Sequence, residues 1–280
     1  VRGDARSGDG PLQTGDSLGE NQEVRTGDDA FVTLRTPDGS VLRLLPRSAF
    51  RLITSRVMAL AAARDVRLEL KQGRLESDVA KQERNGGRFI IQAPRAIIGI
   101  RGTRLRVVAG DQGRTGIELT EGLIGVQPGR SSRATPLRAG QGALLATDRD
   151  RPEIQPLLPA PDLAAMPTDH ARVKVVLPFA AQPGAVRYRT QIASDAAFAA
   201  IVAEAVSERP EAKFATLADG EYWVRVRGID DRGLEGYDAQ RTFRLKARPE
   251  PPFTTAPPNG GKAMGSAVRF AWTASDGVAS

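Results

Sequence analysis

Arg101, Arg104 and Arg106 are the residues whose type and spacing most directly suggest chemistry. Leu105 and Val107 alternate with them, so the segment reads as a half-buried strand with a charged outer row. Arg104 and Arg106 would then stand about 7 Å apart, two strand rises. A guanidinium offers a planar fork of donors that pairs bidentately with carboxylate or phosphate. The spacing would suit successive anionic groups on a polymer or an acidic partner. The simpler reading is a solvated strand face, paired across the sheet to Glu118 or another acid.

Catalytic chemistry has little to build on. The chain has one histidine and no cysteine, which excludes Cys-His catalysis and an ordinary zinc site. His170 falls in a Pro-rich stretch and reads as a solvated loop residue. No Gly-x-Ser-x-Gly elbow is present, and Gly99-Ile-Arg-Gly102-Thr103 lacks the Lys and the glycine spacing of a phosphate loop. Asp230-Asp231, followed by Arg232-Gly233, reads as a loop with cap-type hydrogen bonds rather than a metal site. The expectation is a non-enzyme without a cofactor or metal.

The elements that would hold the arginines are strands. Ala96–Ile100 is a short β-branched block bounded by Pro94 and Gly102, the pattern of a strand buried on both faces. Gly102-Thr103 then turns the chain into the alternating segment at a corner. Residues 30–45 read as a hairpin about Asp38-Gly39, and Ser55–Arg64 is Ala-rich and could form a short helix. LELKQGRL (Leu68–Leu75) and IELTEGLI (Ile117–Ile124) share one pattern, with Gly73 and Gly122 offset by 122 − 73 = 49 residues. The repeat reads as two hairpins turning at Lys71–Arg74 and at Thr120–Leu123, their glycines structural rather than ligand-binding.

The pattern F-x-I-x-A-P-x-A followed by I-R-G-T-x-L-x-V, over Phe89–Val107, resembles the hallmark of the FecR domain of the bacterial cell envelope. Asp38-Gly39-Ser40, the two Gly-centred repeats and Leu137-x-Ala-Gly140-Gln-Gly142 extend the resemblance over roughly residues 15–146. Ile100-Arg101-Gly102-Thr103 is its most specific part. Further on, Leu217-Ala-Asp-Gly220-Glu-Tyr222 resembles the strand F region of fibronectin type III-like or Ig-like domains. That resemblance implies a corner tyrosine, Tyr222, whose hydroxyl bonds back to the chain. Tyr222, Val224 and Val226 would face a core, and Trp223, Arg225 and Arg227 would face outward or towards a neighbour.

These readings divide the all-β chain into a FecR-like β domain (1–146), a Pro-rich linker (147–170) and a fibronectin type III/Ig-like β-sandwich (171–247). A Pro/Gly linker (248–262) and the truncated start of a second sandwich module (263–280) follow. The linkers predict a second module with few contacts to the first. In 280 residues, 40% hydrophobic and 26% charged, no apolar run approaches the ~18 residues of a membrane helix. The net charge of +7 comes from arginines spread along the chain, with only six lysines among its 40 basic residues, so nucleic acid is not the expected partner.

The resemblance implies an exported protein of the Gram-negative envelope, in the periplasm or at the cell surface. The expected role is a non-catalytic scaffold binding other envelope proteins or peptidoglycan, in a homo-oligomer or larger assembly. A peptidoglycan-binding LysM module is expected upstream of Val1. The alternative is a FecR-type periplasmic sensor that regulates an extracytoplasmic sigma factor.

Overall fold

The computed structural model describes residues 1–8, 10–58, 63–81, 87–129, 131, 133–146, 151–248, 254–257, 261 and 268–273. Its regular elements are strands, with a single 3₁₀ turn at Asp111–Gly113. The N-terminal strands are β1 (Ala5–Ser7), β2 (Gly10–Pro11), β3 (Glu23–Thr26), β4 (Val32–Arg35), β5 (Val41–Leu44), β6 (Ala49–Met58) and β7 (Ala63–Asp78). Then come β8 (Arg88–Ala93), β9 (Ala96–Ile100), β10 (Arg104–Ala109), β11 (Thr115–Glu121), β12 (Leu123–Pro128), β13 (Thr135–Arg138), β14 (Gln141–Leu145) and β15 (Glu153–Pro156).

These strands form two layers around one apolar core. The distal layer pairs β3, β6, the first half of β7, β8, β9, β12 and β13. The proximal layer pairs β4, β5, the second half of β7, β10, β11, β14 and β15. Phe89, Ile91 and Ile98 from the distal layer and Leu75, Val107 and Ile117 from the proximal one meet in the core. Ala96, Ile98 and Ile100 are buried, but Ile97 is half-buried and Gly99 exposed, so β9 buries one face rather than the two expected, its other face being the outer side of the distal layer.

The internal repeat has a different meaning from the expected hairpins. β7 runs unbroken through Gly73, leaving β8 and joining β10. Likewise β11 pairs in the proximal layer, and beyond Gly122 the chain continues as β12 in the distal one. Each repeat is a corner at which one strand changes layer. Gly73 and Gly122 have φ of +85° and +94°, where L side chains are strained. A Cβ on Gly73 would also lie 2.5 Å from Ser48 Cα, and one on Gly122 2.5 Å from Thr103 Cγ2. Gly102 (φ +64°) carries the chain from β9 to β10, and Gly140 (φ +82°) from β13 to β14, so both serve the same crossing. Thr103 is buried between these corners, its carbonyl accepting the Val79 N–H at 2.9 Å.

Two other expectations change. Ser55–Met58 ends β6, and Ala63 and Arg64 begin β7, so the Ala-rich stretch belongs to strands wherever it is described; residues 59–62 lie outside the described set. Asp38 and Gly39 do form the β4–β5 turn, with Asp38 Oδ1 accepting the Ser40 N–H at 3.0 Å and Gly39 at φ +86°.

The second unit contains β16 (Asp169–His170), β17 (Val175–Pro178), β18 (Arg187–Ala193), β19 (Ile201–Ser207), β20 (Glu211–Phe214), β21 (Gly220–Ile229) and β22 (Ala239–Leu245). A sheet ordered β16-β22-β21-β18-β19 and the pair β17-β20 enclose a second core of Val175, Leu177, Tyr188, Ile192, Val224 and Phe243. The Tyr222 hydroxyl donates to the Ala218 carbonyl at 2.8 Å, tying the start of β21 to the preceding turn. Farther on, β23 (Thr254–Ala256) pairs with β24 (Ala271–Trp272). Residues 263–267 and 274–280, in the expected further module, lie outside the described set, as does most of 248–262.

Candidate interaction site

The proximal layer sends its apolar side chains into the first core, so the residues between them point away from it. In register across four strands stand Arg43 on β5, Glu76 on β7, Arg106 on β10 and Glu118 on β11. Charge alternates along this row, and each neighbour is opposite in sign, the favourable cross-strand arrangement. Facing it are Arg225 and Arg227 of β21, Arg189 and Gln191 of β18, and Glu235 and Asp238 of the β21–β22 loop.

The two faces interlock. Glu76 of the first unit accepts from Arg225 and Arg227 of the second. In return Glu235 of the second unit pairs with Arg74 of the first at 3.0 Å, and with its own Arg189 at 2.7 Å and Arg227. Glu118 takes Arg106 Nε at 2.7 Å and the Glu235 backbone N–H at 3.0 Å. Arg106 reaches across to the Glu235 and Gly236 carbonyls at 2.8 and 2.6 Å. At the other end Arg43 donates to the Phe198 and Ala197 carbonyls at 2.7 and 2.6 Å while holding Asp78.

Glu76, Glu118, Glu235, Arg106 and Arg227 are each less than 5% exposed, so this is a desolvated layer between two sheets. Burial raises the pKa of Glu76, but Arg225, Arg227, Arg106 and Arg43 outweigh it and hold the carboxyl well below the ordinary value of 4.5. Glu235 is likewise desolvated and held low by Arg189, Arg74, Arg227 and Arg106. An apolar patch completes the contact: Phe31 and Leu45 of the first unit pack with Ala193, Phe198 and Ile201 of the second. Arg225 also lies 4.4 Å above the Phe198 ring.

The arginines singled out in the sequence separate here. Arg106 is 4% exposed and consumed by the seam, so it does not share a solvent face with Arg104. The second unit covers it, and its cross-strand partner Glu118 with it. Arg104 stays at the edge, its side chain 55% exposed and paired with Asp78 at 2.8 Å and Glu121 at 2.7 Å. Arg101 is exposed at the Gly102 corner.

Gly140 lies in the seam as well, where a Cβ would come 3.1 Å from the Tyr237 hydroxyl. Missed in the sequence were Arg43, Arg74, Glu76, Arg189, Glu235 and Asp238. The available signal was the run of Arg and Glu on alternate positions of several strands, which Trp223-x-Arg225-x-Arg227 repeats in the second unit.

The expected linker is built into the structure where it is described. β15 extends the proximal layer, β16 joins the second sheet, and Leu157, Leu163 and Met166 are buried. The second unit therefore has many contacts to the first, against expectation. His170 sits in β16 with its ring edge-on to Phe243 at 5.4 Å, rather than in a solvated loop, and burial lowers its pKa. Among the described residues no group of three or more His, Asp or Glu is placed to hold a metal, and no helix is long and apolar enough to cross a membrane. Asp230 Oδ1 accepts the Arg232 and Leu234 N–H groups at 3.0 and 2.8 Å, organising its own loop.

The fold and seam define an all-β protein whose distinctive polar residues serve contact between layers. Residues 22–125 match the family model of the FecR protein, so the chain carries a FecR-like region. No curated protein matches the chain. Among solved structures it is similar to a proposed anti-sigma factor from Parabacteroides distasonis ATCC 8503, at 18% identity and a TM-score of 0.40. That similarity covers 48% of this chain and 59% of the other, so the chain spans about three fifths of that protein's length. The extracellular domain of a proposed hybrid two component system from B. thetaiotaomicron is similar at 8% identity and a TM-score of 0.23, covering 76% of this chain and 36% of that one.

Proposed function

We propose that this chain is the extracytoplasmic part of a FecR-type sensor or regulator, acting in the cell envelope through protein contact rather than chemistry. The observation that carries the reading is the FecR family match over residues 22–125, which contain most of the first unit's seam residues. In this reading the first unit (1–146) and a fibronectin type III-like second unit (171–247) act as a coupled pair. The buried ion pairs supply the coupling: a partner that disturbs one face alters the support of the other. In this reading an acidic partner meets Arg104 at the edge of the seam, where it competes with Asp78 and Glu121, beside Arg101 at the Gly102 corner.

The second reading is a non-catalytic scaffold associated with peptidoglycan or other envelope proteins. It is favoured by the density of the seam, which suits a load-bearing junction as well as a relay. Deleting the gene and profiling transcripts separates them. A regulator changes a coherent set of genes under one extracytoplasmic sigma factor. A scaffold weakens the envelope, read as detergent sensitivity, and leaves that set unchanged.

A further inference from the structure

The first core borders a cavity that opens to solvent. Among the described residues, the half-buried apolar side chains packed against it are Leu18, Leu34 and Leu52. All three line a single cavity of about 750 Å³, which reaches inward to Leu42, Phe50 and Leu68. A volume of that order is typical of small-molecule sites, which are mostly apolar with a few polar groups at defined positions. Ile201 and Val202 of the second unit form part of its wall, so the cavity lies at the end of the seam.

The rim is polar and unevenly charged. Arg2 and Arg35 line it and are exposed, and among the described residues neither has an ion-pair partner. The one acid of the rim, Asp16, accepts the Gln13 N–H at 2.8 Å. An apolar slot between two sheets, with two cations at its mouth, matches a linear hydrocarbon chain ending in an anion. We propose that this cavity binds a single-chain amphiphile with a carboxylate or phosphate head. The chain lies against Leu18, Leu34 and Leu52, and Arg2 and Arg35 hold the head. The proposal is independent of the regulator reading, since it rests on the cavity alone.

The test uses the whole chain, with probes kept below their micellar concentrations. Displacement of bound 1-anilinonaphthalene-8-sulfonate is followed with dodecanoate, 1-lauroyl-lysophosphatidylglycerol and dodecanol. Displacement by dodecanoate alone assigns a free fatty acid, and displacement by the lysolipid assigns a membrane-derived source. Dodecanol should bind about tenfold more weakly than the preferred anion, because it lacks the charge-assisted contacts. The double variant Arg2→Glu, Arg35→Glu should abolish that preference while retaining dodecanol binding, and Leu34→Trp should weaken all three probes by filling the slot. Should Leu34→Trp not fold, the double variant decides alone, since both its positions are exposed. No displacement by either anion, or unchanged preference in the double variant, overturns the proposal.

Discussion

Glu76 of the first unit and Arg227 of the second are ion-paired with side chains 5% and 1% exposed, although they stand 151 residues apart in the chain. Each is on a strand whose neighbouring residues point into a different core: Leu75 into the first, Val226 into the second. The pair thus lies where two cores turn their backs on one another. Taking both charges out of water is costly and is offset only by near-complete pairing.

Removing one partner should therefore be severe. In Glu76→Gln the buried Arg225 and Arg227 lose a shared carboxylate, and loss of a buried partner costs about 3–5 kcal/mol. Calorimetry should show a markedly lower Tm and, where the wild type unfolds in one transition, two. A Tm within a degree or two of wild type would mean that the seam is not desolvated in solution.

Acid should loosen the same contact. Glu76 and Glu235 have folded-state pKa values held well below 4.5, so their contribution is fully present above the unfolded value and is lost as pH falls toward the folded ones. Stability should fall between about pH 5 and pH 3, and the decline should be shallower in Glu76→Gln. Denaturant titrations at four pH values measure this, and equal slopes for both proteins would exclude Glu76 as a contributor.

The edge should behave differently from the centre. The Arg104–Glu121 pair is 55% and 61% exposed, in the range where ion pairs contribute under about 1 kcal/mol. Arg104→Ala should leave Tm nearly unchanged, whereas Arg106→Ala should be as damaging as Glu76→Gln. Parallel thermal melts check the ranking.

The corner glycines should rank by what surrounds them. Gly102→Val meets strain at φ +64° and Lys81 Cα 3.0 Å from its Cβ, for a loss on the order of 2 kcal/mol or more. Gly73→Val should lose more, because its Cβ would lie 2.5 Å from the Ser48 Cα, which cannot swing aside. Gly39→Ala, with open space around it, should cost only the conformational strain, about 1 kcal/mol. Chemical denaturation of the three variants tests the order.

The strand content was legible in the sequence because alternation is local. The pattern of Leu105 and Val107 against Arg104 and Arg106 is set by the pleat of one strand. The Gly-centred repeat was legible for the same reason, whereas the bond made by Tyr222 to a carbonyl four residues earlier was expected only from a family resemblance. The meaning of the repeat was not. A hairpin and a layer-crossing corner both place a glycine at positive φ, and only the partners of β7 and β11 distinguish them.

The same limit applied to the arginines. The sequence marked an outward face on β10, but an outward face is solvated or covered according to what packs on it. Here the cover over Arg106 is the β21–β22 loop, more than a hundred residues away, while the alternation of β21 places Arg225 and Arg227 opposite Glu76 on the neighbouring strand. Local residue order therefore determined which side chains leave each core, while tertiary packing decided which of them meet water, because desolvation depends on the neighbour and not on the strand itself.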